Sequence, residues 1–247
     1  METTYFYLDE SFRKKDSYWH CNIGGMLLKS EQVVDVEIAL EKQLFQLAQK
    51  GDVSAPVSEC KYSNFLRDTS DEFKFEVCRS ISVLLVELGA KFLISHAKCR
   101  ESQLSIFKDL KPELAIQELA HFNIVSSYLA DLMKQGIVQI VVDLGLSEAF
   151  RPVYRFYSSA IENIPKLLAC GWSASGVTIP NFTRLPPPVF MDSKRSRILQ
   201  FSDLVIGLLL CKEIGALSKF KESMLEAISP LVQATQVHSI EWNKNIA

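Results

Sequence analysis

Little in this chain of 247 residues points to the commonest enzyme classes. It has no Gly-x-Ser-x-Gly elbow, no phosphate-binding P-loop and no Gly-x-Gly-x-x-Gly turn, which removes the simplest hydrolase, kinase and dehydrogenase readings. No two of its cysteines (Cys21, Cys60, Cys78, Cys99, Cys170, Cys211) form a Cys-x-x-Cys pair, and their spacing fits no zinc module. Most fall inside predicted strands or helices, where a free thiol packs as a small apolar group, so a reduced, cytoplasmic setting is expected. Long hydrophobic runs are missing too. The strongest, Leu204 to Cys211, is far shorter than the roughly 20 residues that span a bilayer, so no membrane role is expected. Met1-Glu2-Thr3-Thr4 carries neither the basic nor the apolar segment of a signal peptide. Charge of one sign is also lacking: the net charge is −2, so any contact with nucleic acid must come from a local basic patch. There is no internal repeat and no low-complexity tract.

What the chain does have is a 48% hydrophobic composition, enough for a sizeable core, arranged with two different periods. Residues 4–9 and 18–28 alternate as strands close enough in sequence to form an antiparallel hairpin, with Gly24-Gly25 expected to bulge. From Ser30 the period becomes helical, with Val33, Val36, Leu40, Leu44 and Leu47 on one face and Gly51 as the stop. Val57 to Tyr62 reads as a short strand or turn. Thr69-Ser70-Asp71-Glu72 is a capping box that opens a helix with Phe73, Val77, Ile81, Leu84 and Leu88 inward, closed by Gly89. Lys91 to His96 is a strand. Pro112 begins a helix expected to run to Gln135, burying Phe122, Val125 and Leu129. Strand 137–143 follows, then a helix over 147–163 burying Phe150, Val153, Tyr157, Ile161 and Ile164, and a loop-rich stretch 171–188 with Trp172 and three prolines. A helix over 196–213 and an amphipathic segment 217–236, broken at Pro230, complete the series. The order predicts one α/β domain over 1–247: a mixed sheet of an antiparallel hairpin plus parallel strands, flanked by helices.

Three strand-like runs end in an aspartate: Tyr5 to Asp9, Ile137 to Asp143, and Val189 to Asp192. If the first and second are parallel neighbours, Asp9 and Asp143 meet at the carboxyl edge of the sheet, where ligand sites of open α/β sheets form. Two close carboxylates repel unless a cation lies between them, and Mg²⁺ or Mn²⁺ is the hard, oxygen-seeking partner for such a pair. Gln200 and Asp203, at i and i+3, share one face of the helix after Asp192-Ser193. Leu199, Val205 and Leu208 form its docking side. Lys194, Arg195 and Arg197, with Arg184 upstream, make a basic flank suited to phosphate. Each feature has a plainer alternative. Asp192-Ser193 is also a helix cap, Lys194 to Arg197 is also an ordinary solvated face, and Glu59 with Lys61 is also an exposed turn pair. His96 and Cys99, at i and i+3 in a strand, face opposite ways and do not suit zinc, and His20 beside Cys21 reads as packing.

Tyr7-Leu8-Asp9-Glu10-Ser11 together with Gln200-Phe201-Ser202-Asp203 resembles a large prokaryotic domain-of-unknown-function family. That family is marked by an N-terminal Asp-Glu motif and a C-terminal Gln-x-x-Asp motif. The likeness runs from residue 4 to about 215 and takes in Asp143 and Asp192-Ser193. The chain carries Phe12 where the family often has glycine. The resemblance implies a ribonuclease-H-like fold and an acidic site of Asp9, Asp143 and Asp203, with Glu10 or Glu59 as a fourth carboxylate and Gln200 orienting a ligand or water. It further implies two-metal hydrolysis of a phosphodiester in RNA or DNA, with Lys61, Arg184, Lys194, Arg195 and Arg197 toward the substrate. Such families occur among mobile-element and phage-defence genes. By alternation Asp9 and Glu10 face opposite sides, so both reach one ion only if the strand has ended by Glu10. Two alternatives stand beside the nuclease: a non-catalytic ribonuclease-H-like module acting through a protein partner or a second copy, and a phosphohydrolase of small phosphates.

Overall fold

The computed structural model describes residues 2–50, 60, 62, 69–104, 110–124, 129–143, 186 and 188–242. The expected helix over 147–163, most of the 171–188 stretch, and Glu59, Lys61 and Arg184 lie outside these residues.

The described chain builds a six-stranded mixed sheet between two helical layers. Strands β1 (Thr3–Lys15) and β2 (Tyr18–Lys29) form the expected hairpin, and β2 pairs antiparallel with β3 (Lys91–Arg100). β4 (Ile137–Asp143) lies parallel to β1, β5 (Val189–Met191) parallel to β4, and β6 (Gln236–Trp242) parallel to β3. The spatial order is β5-β4-β1-β2-β3-β6.

Alternation divides the core. Tyr7, Met26, Leu28, Phe92, Ile94 and Val141 face one way, against α1 (Val33–Lys50), α2 (Asp71–Glu87), α6 (Arg197–Glu213), α7 (Lys219–Ala227) and α8 (Ser229–Gln233). Phe6, Leu8, Ile23, Leu27, Leu93 and Ile140 face the other way, against α3 (Glu101–Leu104), α4 (Pro112–Ile124) and α5 (Ala130–Gln135). α6 is buried almost all round from Ile198 to Cys211, Leu199, Val205 and Leu208 included, as its unbroken apolar run requires.

Several boundaries differ from expectation. β1 continues past Asp9 to Lys15, because a two-residue turn at Asp16-Ser17 keeps its polar half paired with β2; Asp16 takes the left-handed conformation (φ 55°) that a short polar side chain tolerates. Gly24-Gly25 makes no bulge. Both strands pair through it without a break, Leu8 with Gly25 and Asp9 with Gly24. The glycines serve close approach instead: a Cβ on Gly25 would lie 1.8 Å from the Tyr7 carbonyl oxygen, and one on Gly24 2.2 Å from that of Leu93. Ser70, one residue after the Thr69 that the Thr-x-x-Glu pattern nominates, caps α2 by accepting from the Phe73 amide at 3.2 Å, which puts Phe73 and not Glu72 at the third helical position. The buried stripe is Val77, Cys78, Ile81, Ser82 and Leu85, rotated slightly from the expected one. The helix expected over 112–135 is described as two pieces, α4 and α5. Leu129 is buried as expected, while nothing is described of the Phe122 side chain or of Val125. The C-terminal amphipathic segment breaks at Ile228, just before Pro230, and is followed by β6, a strand its polar sequence does not advertise. Among the described residues no helix is long and apolar enough to cross a membrane.

Candidate functional site at the carboxyl edge of the parallel pair

β1 and β4 are in register up to Tyr7 opposite Val141. Two residues further along each strand stand Asp9 and Asp143. The period of two keeps both on the side of Tyr7 and Val141, beneath α6. Both are nearly enclosed, at 7% and 6% exposure. Asp9 Oδ1 accepts from the Glu10 amide at 2.7 Å. Asp143 Oδ1 accepts from the Ser193 amide at 3.3 Å, which fixes the turn leading into α6.

That turn is stiffened by its own caps. Asp192 accepts from the Lys194 amide at 3.0 Å and caps the 3-10 turn Ser193–Arg195, the capping role weighed for it in the sequence. Ser196 caps α6 at the Leu199 amide and donates to Glu37 Oε1 at 2.5 Å. Glu37 Oε2 takes the Arg197 amide at 3.0 Å, so a carboxylate of α1 sits at the positive end of α6. Burial raises the Glu37 carboxyl, and the bonds from Ser196, Arg197 and Ile198 oppose that rise.

Gln200 and Asp203 share one helix face as expected, but they grip backbone. Gln200 Oε1 accepts from the Cys60 amide at 2.9 Å and its Nε2 donates to the Ser193 carbonyl at 2.7 Å. Asp203 Oδ2 accepts from the Tyr62 amide at 2.8 Å. The track continues down the same face at Gly207 and Cys211. A Cβ on Gly207 would lie 2.6 Å from the Tyr62 ring, and the Tyr62 hydroxyl meets Cys211 Sγ at 2.9 Å. Positions 200, 203, 207 and 211 thus form one seat for Cys60 and Tyr62. A glycine inside an apolar helix was the one visible sign of it in the sequence.

Glu10 does not join this edge. Because β1 continues, its side chain turns to the opposite face, 3% exposed, with Oε2 3.8 Å from His121 Nε2 on α4. Burial pushes its carboxyl up to about 7 and holds His121 down to about 4, so at neutral pH the imidazole is uncharged. Nothing in the sequence marked His121 as its neighbour.

The basic flank is split as well. Lys194 and Arg195 are exposed beside the Asp143 turn. Arg197 is instead engaged with Glu41 at 2.7 Å and with Gln200 Oε1 at 2.9 Å. Next to Asp9 on the α6 side, the sheet carries a buried polar row. His96 Nδ1 lies 2.6 Å from Asn22 Oδ1, and His96 Nε2 lies 3.4 Å from His20 Nδ1. Burial lowers both histidines to about 4. Cys99 belongs to the other core.

Among the described residues no three His, Cys, Asp or Glu side chains converge on one metal position, so the expected triad with Asp203 is not assembled there. The hard oxygens of Asp9 and Asp143 alone fit one Mg²⁺ or Mn²⁺, ions that commonly take one or two carboxylates and fill their remaining positions with water or phosphate. Comparison with protein-family models, curated proteins and solved structures returns no match to this chain. The site and the mixed sheet define an α/β protein with an acidic strand edge, and the family likeness rests on its motifs alone.

Proposed function

We propose that this chain is a metal-dependent phosphodiesterase acting on nucleic acid, with a ribonuclease-H-like core. The observation that carries the reading is the buried pair Asp9 and Asp143, each two residues past the last paired position of two neighbouring parallel strands. The strand order supports it, since β3-β2-β1-β4-β5 joins an antiparallel hairpin to parallel strands as the family likeness implies. Asp9 and Asp143 would hold one Mg²⁺ or Mn²⁺, which when bound supplies Lewis-acid activation of a water and of the phosphoryl group. Asp143 is oriented for this by the Ser193 amide. Lys194 and Arg195 extend from the same turn toward the phosphates of the polymer. Gln200 and Asp203 act one step away, by fixing Ser193, Cys60 and Tyr62.

Asp9→Asn and Asp143→Asn are each expected to lower Mn²⁺- or Mg²⁺-dependent cleavage of RNA, DNA or hybrid by at least about a hundredfold, with unchanged circular dichroism. Absence of both cleavage and Mn²⁺ binding in the parent chain would overturn the proposal. A non-catalytic module acting through protein partners is the second reading. It is favoured by the way Gln200, Asp203 and Arg197 are used up in internal contacts. Calorimetric titration with Mn²⁺ separates the two, because the nuclease requires Asp9-dependent binding and the module does not. Turnover of mononucleotides without polymers would select the small-phosphate alternative.

A further inference from the structure

α1 is apolar on two sides. Val36, Leu40, Leu44 and Leu47 are buried in the core, yet the outer side carries Val34, Ile38 and Phe45 at 64%, 60% and 63% exposure. At about 100° per residue these three fall within an arc of about 40°, a narrow stripe facing away from the core. A single exposed apolar side chain is ordinary, whereas three large ones in line on one helix mark a contact surface. The neighbouring α2 adds Val83 and Val86, 39% and 40% exposed.

We propose that a second copy of this chain covers this stripe, with the two α1 helices packed antiparallel about a twofold axis. The charges beside the stripe select that occupant. Asp35 flanks it in the N-terminal half and Lys42 on the same flank in the C-terminal half, both exposed. Neither forms an ion pair within the described chain. Antiparallel pairing centred between Ala39 and Leu40 sets Val34 against Phe45 of the second copy, and Ile38 against its Glu41. The same centring leaves Asp35 and Lys42 of the second copy only about 3 Å out of level along the axis. Symmetry repeats that opposite-charge pair. A parallel pairing would instead set Asp35 beside Asp35 and Lys42 beside Lys42.

Glu41 is the charged residue at the centre of the seam, and its charge is already answered. Arg197 of its own chain holds it at 2.7 Å. Its stem therefore covers Ile38 of the second copy without an unpaired charge being buried. The contact is small: two helices meeting through one stripe bury less than the roughly 800 Å² per partner of a standard interface, so the dimer is expected to be of micromolar strength. α1 also sends Glu37 to the Ser196 hydroxyl and the Arg197 amide, which links the interface to the start of α6 through one element.

Sedimentation equilibrium of the full chain, over about 1–300 µM, should show a monomer–dimer equilibrium. Ile38→Asp and Phe45→Asp change solvent-facing positions, so each should keep the parent circular dichroism while weakening dimerisation at least about thirtyfold. Charge exchange tests the alignment. Asp35→Lys and Lys42→Asp should each be monomeric alone, and an equimolar mixture of the two should recover a heterodimer. A benzophenone placed at position 38 should crosslink to the Glu41 region of the second copy. The proposal is overturned if the parent stays monomeric throughout, if Phe45→Asp leaves the dimer unchanged, or if the charge-exchanged mixture stays monomeric. It is equally overturned if the crosslinker captures only its own chain, because a segment of the same chain then covers the stripe. These readouts use neither metal nor polymer, so they stand apart from the nuclease reading.

Discussion

Asp9 and Glu10 are neighbours in sequence and strangers in space. Alternation along β1 sends the first beneath α6 and the second beneath α4, where Glu10 Oε2 has no hydrogen-bond partner among the described residues. An isolated buried carboxyl resists ionisation, and its rise from 4.5 to about 7 has a definite sign for stability. The folded state holds this proton more tightly than the unfolded chain does. Glu10 therefore costs nothing below about pH 4.5, and its penalty grows through the interval up to about pH 7, reaching about 3 kcal/mol. Glu10→Gln should remove this loss, raising stability at pH 8 by a comparable amount and flattening the curve between pH 5 and 8 in chemical denaturation. His121 works in the other direction. Held at about 4, it must stay neutral in the fold, so its contribution is lost as pH falls from 6.5 toward 4, and His20 and His96 share that acid limb. An unchanged alkaline limb in Glu10→Gln would refute the assignment.

α6 is the element on which most of the candidate site turns. Its apolar run and its Gln-x-x-Asp spacing were both legible, and so was its start near Ser196. What its polar positions bind was not legible, because Cys60 and Tyr62 are brought to it from about 140 residues away. Gly207 offers a sharp check of that seat. Alanine normally gains about 1 kcal/mol over glycine inside a helix. Here the added methyl would meet the Tyr62 ring at 2.6 Å, so Gly207→Ala should instead destabilise by about 1–3 kcal/mol. In a Tyr62→Ala background the same substitution should become stabilising. Equal effects in both backgrounds, measured by a double-mutant cycle, would mean that Tyr62 does not rest there.

The hairpin, the parallel placement of β4 and the helical layers could be inferred from periodicity and order alone. β6 could not, for its polar edge sequence resembles the loops around it, and its pairing with β3 joins residues more than a hundred positions apart. Such long-range pairing must await closure of the intervening chain, and edge strands are held by one neighbour only. Amide exchange should accordingly be slowest in β1, β2 and β3, flanked on both sides, and faster in β5 and β6. Comparable protection in β6 and β2 would contradict this topology as the source of stability.

The Gly24-Gly25 pair has a consequence for anyone who would redesign the hairpin. A slip of β1 by one residue would still offer a carboxylate to the α6 side, Glu10 in place of Asp9, so acidity alone does not distinguish the two alignments. Gly25 does. The Tyr7 carbonyl approaches a Gly25 backbone that has no room for a Cβ, and the slip that sets Glu10 opposite Gly24 in place of Asp9 would bring Met26 into that gap. It works as a key cut against that slip, and the choice of which acid reaches the sheet edge turns on it.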